Sequence, residues 1–254
     1  MLRAIDELPR EILADAHETA AKLRDAGVRA VLCGNPQYPE RLRRFSGAPP
    51  VLYVRGPLEL LGVAAVGLCG SRNATVAGLR AARACGRLAA EEGLAVVSGY
   101  AKGVDTAGHL SVLEAGGRTV AVLAEGIERF ALKKAYREQI APEGLSNRML
   151  VVSQFAPTQR WSAGAAMTRN QVIVGMSLGL VAVEAGETGG TLTAGETALR
   201  GRRPVLVPSS SPDEAPGNKL LVAAGAHSMT DRQELLDQLR RLRGDVAPPG
   251  LFEQ

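Results

Sequence analysis

The sequence predicts an α/β fold in which helices cover both faces of a doubly wound, mostly parallel sheet. A chain of 254 residues with 46% apolar and 22% charged residues can bury one large core. From residue 62 onward, short apolar runs alternate with glycine-containing turns and helical patterns, and that alternation is typical of parallel strands joined by crossover helices. The longest apolar run, residues 62–70, has the length of a strand rather than of a membrane span.

Residues 1–35 are predicted to form a short helical extension. Apolar residues recur at helical spacing from Glu7 to Ala26, and Gly27 follows as a favoured residue after a helix. The opening segment lacks an apolar signal core, so we expect a cytoplasmic protein. A turn-rich joint at 35–39 leads to an apolar run at 51–54, which we predict to be an edge strand.

One domain is predicted over residues 36–245, followed by a flexible tail at 246–254. Further strands are predicted at residues 63–68, 95–97, 119–123, 150–153, 179–184 and 204–208. Helices are predicted at residues 77–92, 105–115, 132–141 and 168–178, after the glycine turn at 189–194, and at 231–243. The last helix carries four leucines that form a dimer face or, as we expect, pack on the sheet; they are Leu235, Leu236, Leu239 and Leu242.

Composition and short motifs exclude several classes of protein. The three cysteines lie far apart with no C-x-x-C pair, which argues against a disulfide framework and a structural zinc site. Neither a P-loop motif nor a strict G-x-G-x-x-G follows a predicted strand, so a P-loop ATPase and a hydride-transfer enzyme are not supported. The net charge is +4, and residues 63–160 hold 12 Lys or Arg against 8 acidic residues.

Three turns that follow predicted strands are rich in small and polar residues, and two of them carry a cation, Arg72 or Lys102. Strand ends are where open parallel sheets bind ligands. Each turn alone is explained by glycine geometry and helix capping, but capping requires neither Arg72 nor Lys102. Together the turns favour an anion or nucleotide site. The predicted phosphate-binding residues in them are Gly70, Ser71, Arg72, Ser98, Gly99, Lys102, Gly103, Thr188, Gly189, Gly190 and Thr191.

Arg169 and Asn170 complete the predicted site. They lie at the start of a predicted helix, where an arginine opposes the helix dipole and therefore suits an incoming anion. Asp105 and His109 are four residues apart, so they share a helix face and can hydrogen-bond. We expect this pair to be pocket scaffold, with direct ligand contact and acid–base catalysis as alternatives. No cluster has metal-ligand spacing, and Tyr100 is the one aromatic residue in the candidate site.

A set of motifs in the order found here resembles the DprA/Smf family of DNA-processing proteins over roughly residues 36–240. The motifs are YPERLRRFSGAPPVLYVRG, GSRNAT, VVSGYAKGVDTAGH, GGRTVAVLAEGIER, TRNQVIVGMS, VAVEAGETGGTLTAGETALRGRRPVLVPS and GNKLLVAAGA. The resemblance implies an extended Rossmann-like core that binds single-stranded DNA, protects incoming DNA and loads a RecA-type recombinase in natural transformation. It also implies a homodimer that is not an enzyme and needs no cofactor.

The motifs assign the DNA-binding pocket to Ser71, Arg72, Ser98, Gly99, Lys102, Gly103, Arg169 and Asn170, with Asp105 and His109 as its scaffold. Some motifs depart from the family: the family's R-N-R reads RNQ, and its Val-Pro-Gly reads Val-Pro-Ser. An alternative is a nucleotide-binding enzyme or sensor of the related phosphoribohydrolase group. Gly189, Gly190 and Thr191 with Glu196 loosely resemble that group's PGG-x-GT-x-x-E signature.

Overall fold

A computed structural model describes residues 9–140, 145, 147–209 and 215–244, and within them it contains one nine-stranded sheet. The strands are β1 (Val28–Leu32), β2 (Val51–Arg55), β3 (Ala65–Gly70), β4 (Ala95–Gly99), β5 (Thr119–Val122), β6 (Met149–Ser153), β7 (Leu180–Val183), β8 (Val205–Pro208) and β9 (His227–Met229). Their order in the sheet is β1-β2-β6-β5-β4-β3-β7-β8-β9. The tail at 246–254 lies outside the described residues.

The parallel part of the sheet begins at β3, and the chain winds away from this strand in both directions. It runs outward through β4, β5 and β6, returns to β7 on the other side of β3, and continues through β8 to β9. All of these neighbouring strands are parallel, whereas β2 pairs antiparallel with both β6 and β1. The winding reverses between β3 and β7, so a crevice is expected at the carboxyl ends of these two strands.

Helices cover both faces of the sheet, as predicted. They are α1 (Arg10–Asp25), α2 (Glu40–Arg43), α3 (Val76–Glu91), α4 (Val104–Glu114), α5 (Lys134–Arg137), α6 (Ala163–Met176), α7 (Gly190–Arg200), α8 (Pro216–Ala223) and α9 (Arg232–Gly244). Short 3₁₀ helices occupy Leu58–Leu61 and Ile127–Arg129. No helix in the described part of the chain is long and apolar enough to cross a membrane.

Two hydrophobic layers hold the fold together, because successive side chains of a strand point to opposite faces of the sheet. In β4, Val97 belongs to the layer that α6, α7 and α8 cover, and its neighbour Val96 belongs to the layer that α3, α4 and α9 cover. The prediction that α9 packs on the sheet is confirmed: three of its leucines are buried in this second layer and Leu236 packs against them.

The structure differs from the predicted elements near both antiparallel strands. Strand β1 lies inside the segment predicted to be a helical extension, where only two of its five residues, Val28 and Val31, are buried. The strand at residues 51–54 is not an edge strand, because β2 pairs on both sides. The helix predicted at 132–141 shrinks to α5, and residue 141 lies outside the described residues. The alternation of apolar runs did not predict α2, α8 or β9.

Candidate functional site

A cleft of about 400 Å³ opens where the winding of the sheet reverses, at the carboxyl ends of β3 and β7. Five segments line it: the turn after β3, the turn after β4 with the start of α4 (Ala101 and Asp105), the N-terminal half of α6 with the residues before it, the turn after β7, and the start of α7. A second lobe of about 260 Å³ adjoins the cleft and shares Arg72, Ala101, Trp161 and Arg169 with it. Tyr100 and Lys102 line only the second lobe.

The turn after β3 places Ser71 and Arg72 at the mouth of the cleft. The Ser71 amide donates to the Val183 carbonyl at 3.2 Å, and the Ser71 carbonyl accepts a hydrogen bond from the Val104 amide at 3.2 Å. These bonds tie the turn to β7 and to α4. The Arg72 guanidinium is exposed and lies 5.2 Å from the centre of the Trp161 ring. Arg72 is therefore held at the rim with its donors available to a ligand.

Gly103 is a packing residue at the base of this turn. It has φ of +82°, and a Cβ atom there would collide with the backbone carbonyls of Ser71 and Arg72. Gly103 was predicted to contact phosphate. In the structure it packs against the backbone of Ser71 and Arg72. Lys102, one residue earlier, is exposed and faces the second lobe.

The start of α7 contributes backbone donors to the cleft. Gly189 precedes the helix with φ of +105° and no side chain caps the helix N-terminus. The first amide groups of an α-helix have no partner within the helix, and they attract anions. Thr188, Gly189, Gly190 and Thr191 all line the cleft, so these donors and two hydroxyls face it.

Arg169 lies in the cleft for a reason other than the predicted one. Helix α6 begins at Ala163, behind the capping hydroxyl of Ser162, so Arg169 sits in its second turn and the helix-dipole argument was wrong. Arg169 is only 6% exposed, and its guanidinium donates to the Asn170 amide oxygen at 3.0 Å and to the Val122 carbonyl at 2.6 Å. No carboxylate of the described residues lies within 4.0 Å of its nitrogens.

Asn170 connects α6 to α7. Its amide nitrogen donates to the Gly190 carbonyl at 2.9 Å, while its amide oxygen accepts from Arg169. Both hydrogen-bonding ends of the amide are therefore used to hold the buried arginine beside the start of α7. This is a positioning role within the predicted binding set.

Ser98 and Gly99 lie beneath the cleft. The Ser98 side chain is fully buried and donates to the Leu68 carbonyl at 2.6 Å, so its hydroxyl is committed to β3. Gly99 leaves space for its neighbours, because a Cβ atom there would collide with the side chains of Arg169 and Asp105. The sequence analysis placed both residues in contact with phosphate, whereas the structure uses them to support the groups above.

His109 is fully buried in a hydrogen-bonded position. Its Nε2 lies 2.5 Å from the Gly99 carbonyl and its Nδ1 lies 2.6 Å from the Thr119 hydroxyl. Burial lowers the pKa of the imidazole to about 4, so it is neutral at pH 7. The Gly99 carbonyl can only accept, so Nε2 carries the proton, and the unprotonated Nδ1 competes for the Thr119 hydroxyl proton with the Val96 carbonyl, which lies 2.8 Å from that hydroxyl. The predicted pairing with Asp105 does not occupy either ring nitrogen. Asp105 instead accepts from the Ala101 amide at 3.3 Å.

Two cleft residues were missed. Trp161 is half exposed and lines both lobes; as the single tryptophan it was visible in the sequence, but nothing local placed it near the turns. Glu184 follows β7 with φ of +51°, and its carboxylate accepts from the amide and the hydroxyl of Thr75. An acidic residue directly after a strand was a signal that could have found it. The described residues contain no group of three or more His, Cys, Asp or Glu that could hold a metal ion.

Known proteins resemble this chain in sequence over most of its length. A DNA processing protein DprA from Streptococcus pneumoniae is 33% identical over 78% of this chain and 70% of its own length. A protein Smf from Synechocystis is 33% identical over 81% of this chain, but only about half of its own length, 52%, is matched. The sequence model of the DNA recombination-mediator protein A family matches residues 29–240.

Solved structures show the same fold. An X-ray structure of DNA processing protein A from S. pneumoniae has a TM-score of 0.75 at 30% identity and covers 86% of this chain and 77% of that one. A structure of the Helicobacter pylori protein, described for its single-stranded DNA binding mode, has a TM-score of 0.72 at 20% identity and covers 84% of this chain and 96% of that one. On the family match and these similarities, the chain belongs to the DNA recombination-mediator protein A family, also called DprA/Smf.

Proposed function

We propose that this protein binds single-stranded DNA by holding backbone phosphate in the cleft between β3 and β7. The observation that carries the proposal is Arg169, a buried cation that faces an open cleft and donates, among the described residues, to two neutral groups, the Asn170 amide oxygen and the Val122 carbonyl. The Asp105 carboxylate lies nearby but forms no ion pair with Arg169 within 4.0 Å, so an anionic ligand in the cleft would give the guanidinium a direct charged partner.

Three further groups support a phosphate ligand. The amides at the start of α7 face the same cleft as Arg169, and Arg72 and Lys102 are exposed at its two lobes. Arginine forks and helix N-termini are the usual phosphate donors in proteins. Such contacts involve the backbone of the nucleic acid, so binding is expected to be largely independent of base sequence and to weaken as salt rises.

The wider role follows from the family. The family's name describes recombination mediation, and the S. pneumoniae relative is named a DNA processing protein. We therefore propose that this protein protects incoming single strands in the cytoplasm, acts as a homodimer and delivers DNA to a RecA-type recombinase in natural transformation. It acts as a binding protein rather than as an enzyme and uses no cofactor.

The alternative phosphoribohydrolase function receives less support from the geometry. Glu196, the acid that the alternative needs near the substrate, is exposed on α7 and lies 3.9 Å from Arg200. The carboxylates that do line the cleft belong to Asp105, which accepts from the Ala101 amide, and to Glu184, both of whose oxygens accept hydrogen bonds from Thr75. Release of free base from a nucleoside monophosphate would favour the alternative.

Fluorescence anisotropy with a labelled oligothymidine, at two salt concentrations, tests the proposal. Arg72→Ala and Lys102→Ala are each expected to weaken binding by about tenfold, since a charge-assisted phosphate contact contributes roughly 1.5–3 kcal/mol. Each should also lower the salt dependence by about one phosphate contact. Arg87→Ala is the control, because Arg87 is an exposed arginine of α3 that does not line either lobe. Equal losses in all three variants would reject the cleft as the binding site.

A further inference from the structure

The second lobe of the cleft differs in chemistry from the first. The first lobe contains the start of α7, while Tyr100, Lys102 and Leu123 line the second lobe without lining the first. Arg72, Trp161 and Arg169 line both lobes. The indole and two guanidinium groups therefore stand where the two lobes join.

Trp161 presents a large apolar ring where the two lobes join, beside Arg72 and Arg169. Its side chain is 50% exposed, and Met167, which also lines the first lobe, is 46% exposed. Large apolar side chains are normally removed from water, so two exposed ones beside a binding cleft indicate an apolar part of the ligand. Phosphate alone does not offer such a part.

The backbone around Trp161 is well anchored. Trp161 directly precedes Ser162, whose hydroxyl accepts a hydrogen bond from the Ala165 amide and so fixes the start of α6. On the opposite side, Arg72 lies in the turn that Gly103 supports, and its guanidinium is 5.2 Å from the indole centre. The indole therefore lies next to the fixed start of α6, with the Arg72 guanidinium over its ring and half of the side chain exposed.

Tyr100 is the other aromatic ring of the second lobe, and it is already engaged. Its ring centre lies 5.3 Å from that of Phe130 and 5.1 Å from that of Tyr136, and the Lys133 amino group lies 4.1 Å from it. Its hydroxyl donates to the Ala131 carbonyl at 3.2 Å. The Tyr100 ring therefore lines the lobe while packing against other side chains, whereas half of the Trp161 side chain is exposed to solvent.

We infer that Trp161 is a base-stacking subsite: one nucleobase of the bound strand stacks on the indole while Arg72 and Arg169 hold adjoining phosphate. The inference rests on the proposed function and adds a recognition element to it. A nucleotide is the ligand that combines a flat apolar ring with an anion at this spacing of groups. Stacking tolerates every base, because each has a π face, so the subsite distinguishes unpaired from paired strands rather than one sequence from another.

The test compares two oligonucleotides of equal length and charge, an oligothymidine and a strand of abasic tetrahydrofuran sites. The protein contains one tryptophan, so intrinsic fluorescence reports on Trp161 alone. Oligothymidine is expected to quench that fluorescence and to bind about tenfold more tightly than the abasic strand, which binds through phosphate without quenching.

Variants at position 161 separate stacking from folding. Trp161→Ala should lose about tenfold in affinity for oligothymidine, measured by anisotropy, and change affinity for the abasic strand by less than about twofold. Trp161→Phe keeps an aromatic ring and should recover most of the loss. Equal affinity of the wild type for both strands, or an equal loss on both in Trp161→Ala, would overturn the subsite while leaving phosphate binding intact. If neither strand binds, the proposed function itself fails.

Discussion

The N-termini of α4 and α7 differ in what covers them, although both helices follow a parallel strand and begin behind a glycine with positive φ. Gly103 precedes α4 and packs against the Ser71 and Arg72 backbone, and the first amide of α4, that of Val104, donates to the Ser71 carbonyl. Gly189 precedes α7, is exposed and has open space where a Cβ atom would lie. A glycine with positive φ therefore precedes a covered helix start in one place and an open helix start in the other.

Position in the sheet explains the difference. α7 follows β7, the strand at which the winding reverses, and the crevice there stays open. α4 follows β4, which lies on the other side of β3, and the turn after β3 packs over its start. Polar residues of the α4 region consequently serve mainly as support, and those of the α7 region line the open cleft.

The largest expected effect is that of Gly103→Ala. A Cβ atom at this position meets two backbone carbonyls that cannot move aside, in addition to the strain of a positive φ. The variant should lose about 3 kcal/mol of unfolding free energy or more, measured by urea denaturation. Gly93→Ala is the control, because Gly93 has φ of +70° with nothing within 4 Å, and should lose only about 1 kcal/mol. Equal losses would mean that the contact with the turn after β3 is unimportant.

Acid should destabilise the support under α4 through His109. Burial lowers the pKa of His109 to about 4, and the unfolded value is about 6.5, so the unfolded state binds more protons between these two pH values. Stability is full above pH 6.5 and falls as the pH drops toward 4, by roughly 3 kcal/mol for this group. The charges of Asp105, Lys133 and Arg169 also shift the pKa of this imidazole. The contribution of His109 to the pH dependence of stability is therefore measured by comparing the wild type with a variant that lacks the imidazole.

His109→Gln is such a variant. Glutamine can still donate to the Gly99 carbonyl but does not titrate, so its unfolding free energy should decline less steeply below pH 6.5 than that of the wild type. Thermal or urea unfolding at pH 7, 5.5 and 4.5 measures both proteins. Parallel curves would show that His109 is not held neutral by burial.

Gly189→Ala is expected to change stability least. It should also weaken binding of oligothymidine. Its φ of +105° strains any other residue, so we expect a loss of about 1–2 kcal/mol and a several-fold loss of oligothymidine affinity as the start of α7 shifts. Gly225→Ala is a matched control, because Gly225 also has φ of +105° and open space but lies outside the cleft. A similar binding loss in both variants would contradict an anion site at α7.

Much of the fold and part of the site could be predicted from the sequence. Apolar runs and glycine turns located the strands from β3 to β8, because central parallel strands are buried on both faces and have a continuous apolar pattern. Strand β1 was missed since only Val28 and Val31 are buried in it. The predicted start of α6 was too late. Its first turn is rich in Ala and Gly and gives no helical pattern of large apolar residues, which left the cap residue Ser162 as the local sign of the helix start.

The sequence by itself determined the parallel sheet, the turns that follow its strands and the residue types that suit an anion, because periodicity and turn chemistry are local properties. Only the tertiary structure decided which of these turns stay open. It buried Ser98 and His109, directed the hydrogen bonds of Arg169 to Asn170 and Val122, and brought Trp161 beside Arg72 from a distant part of the chain. Burial and long-range contact depend on strand order, and strand order is set by packing of the whole sheet rather than by any one segment.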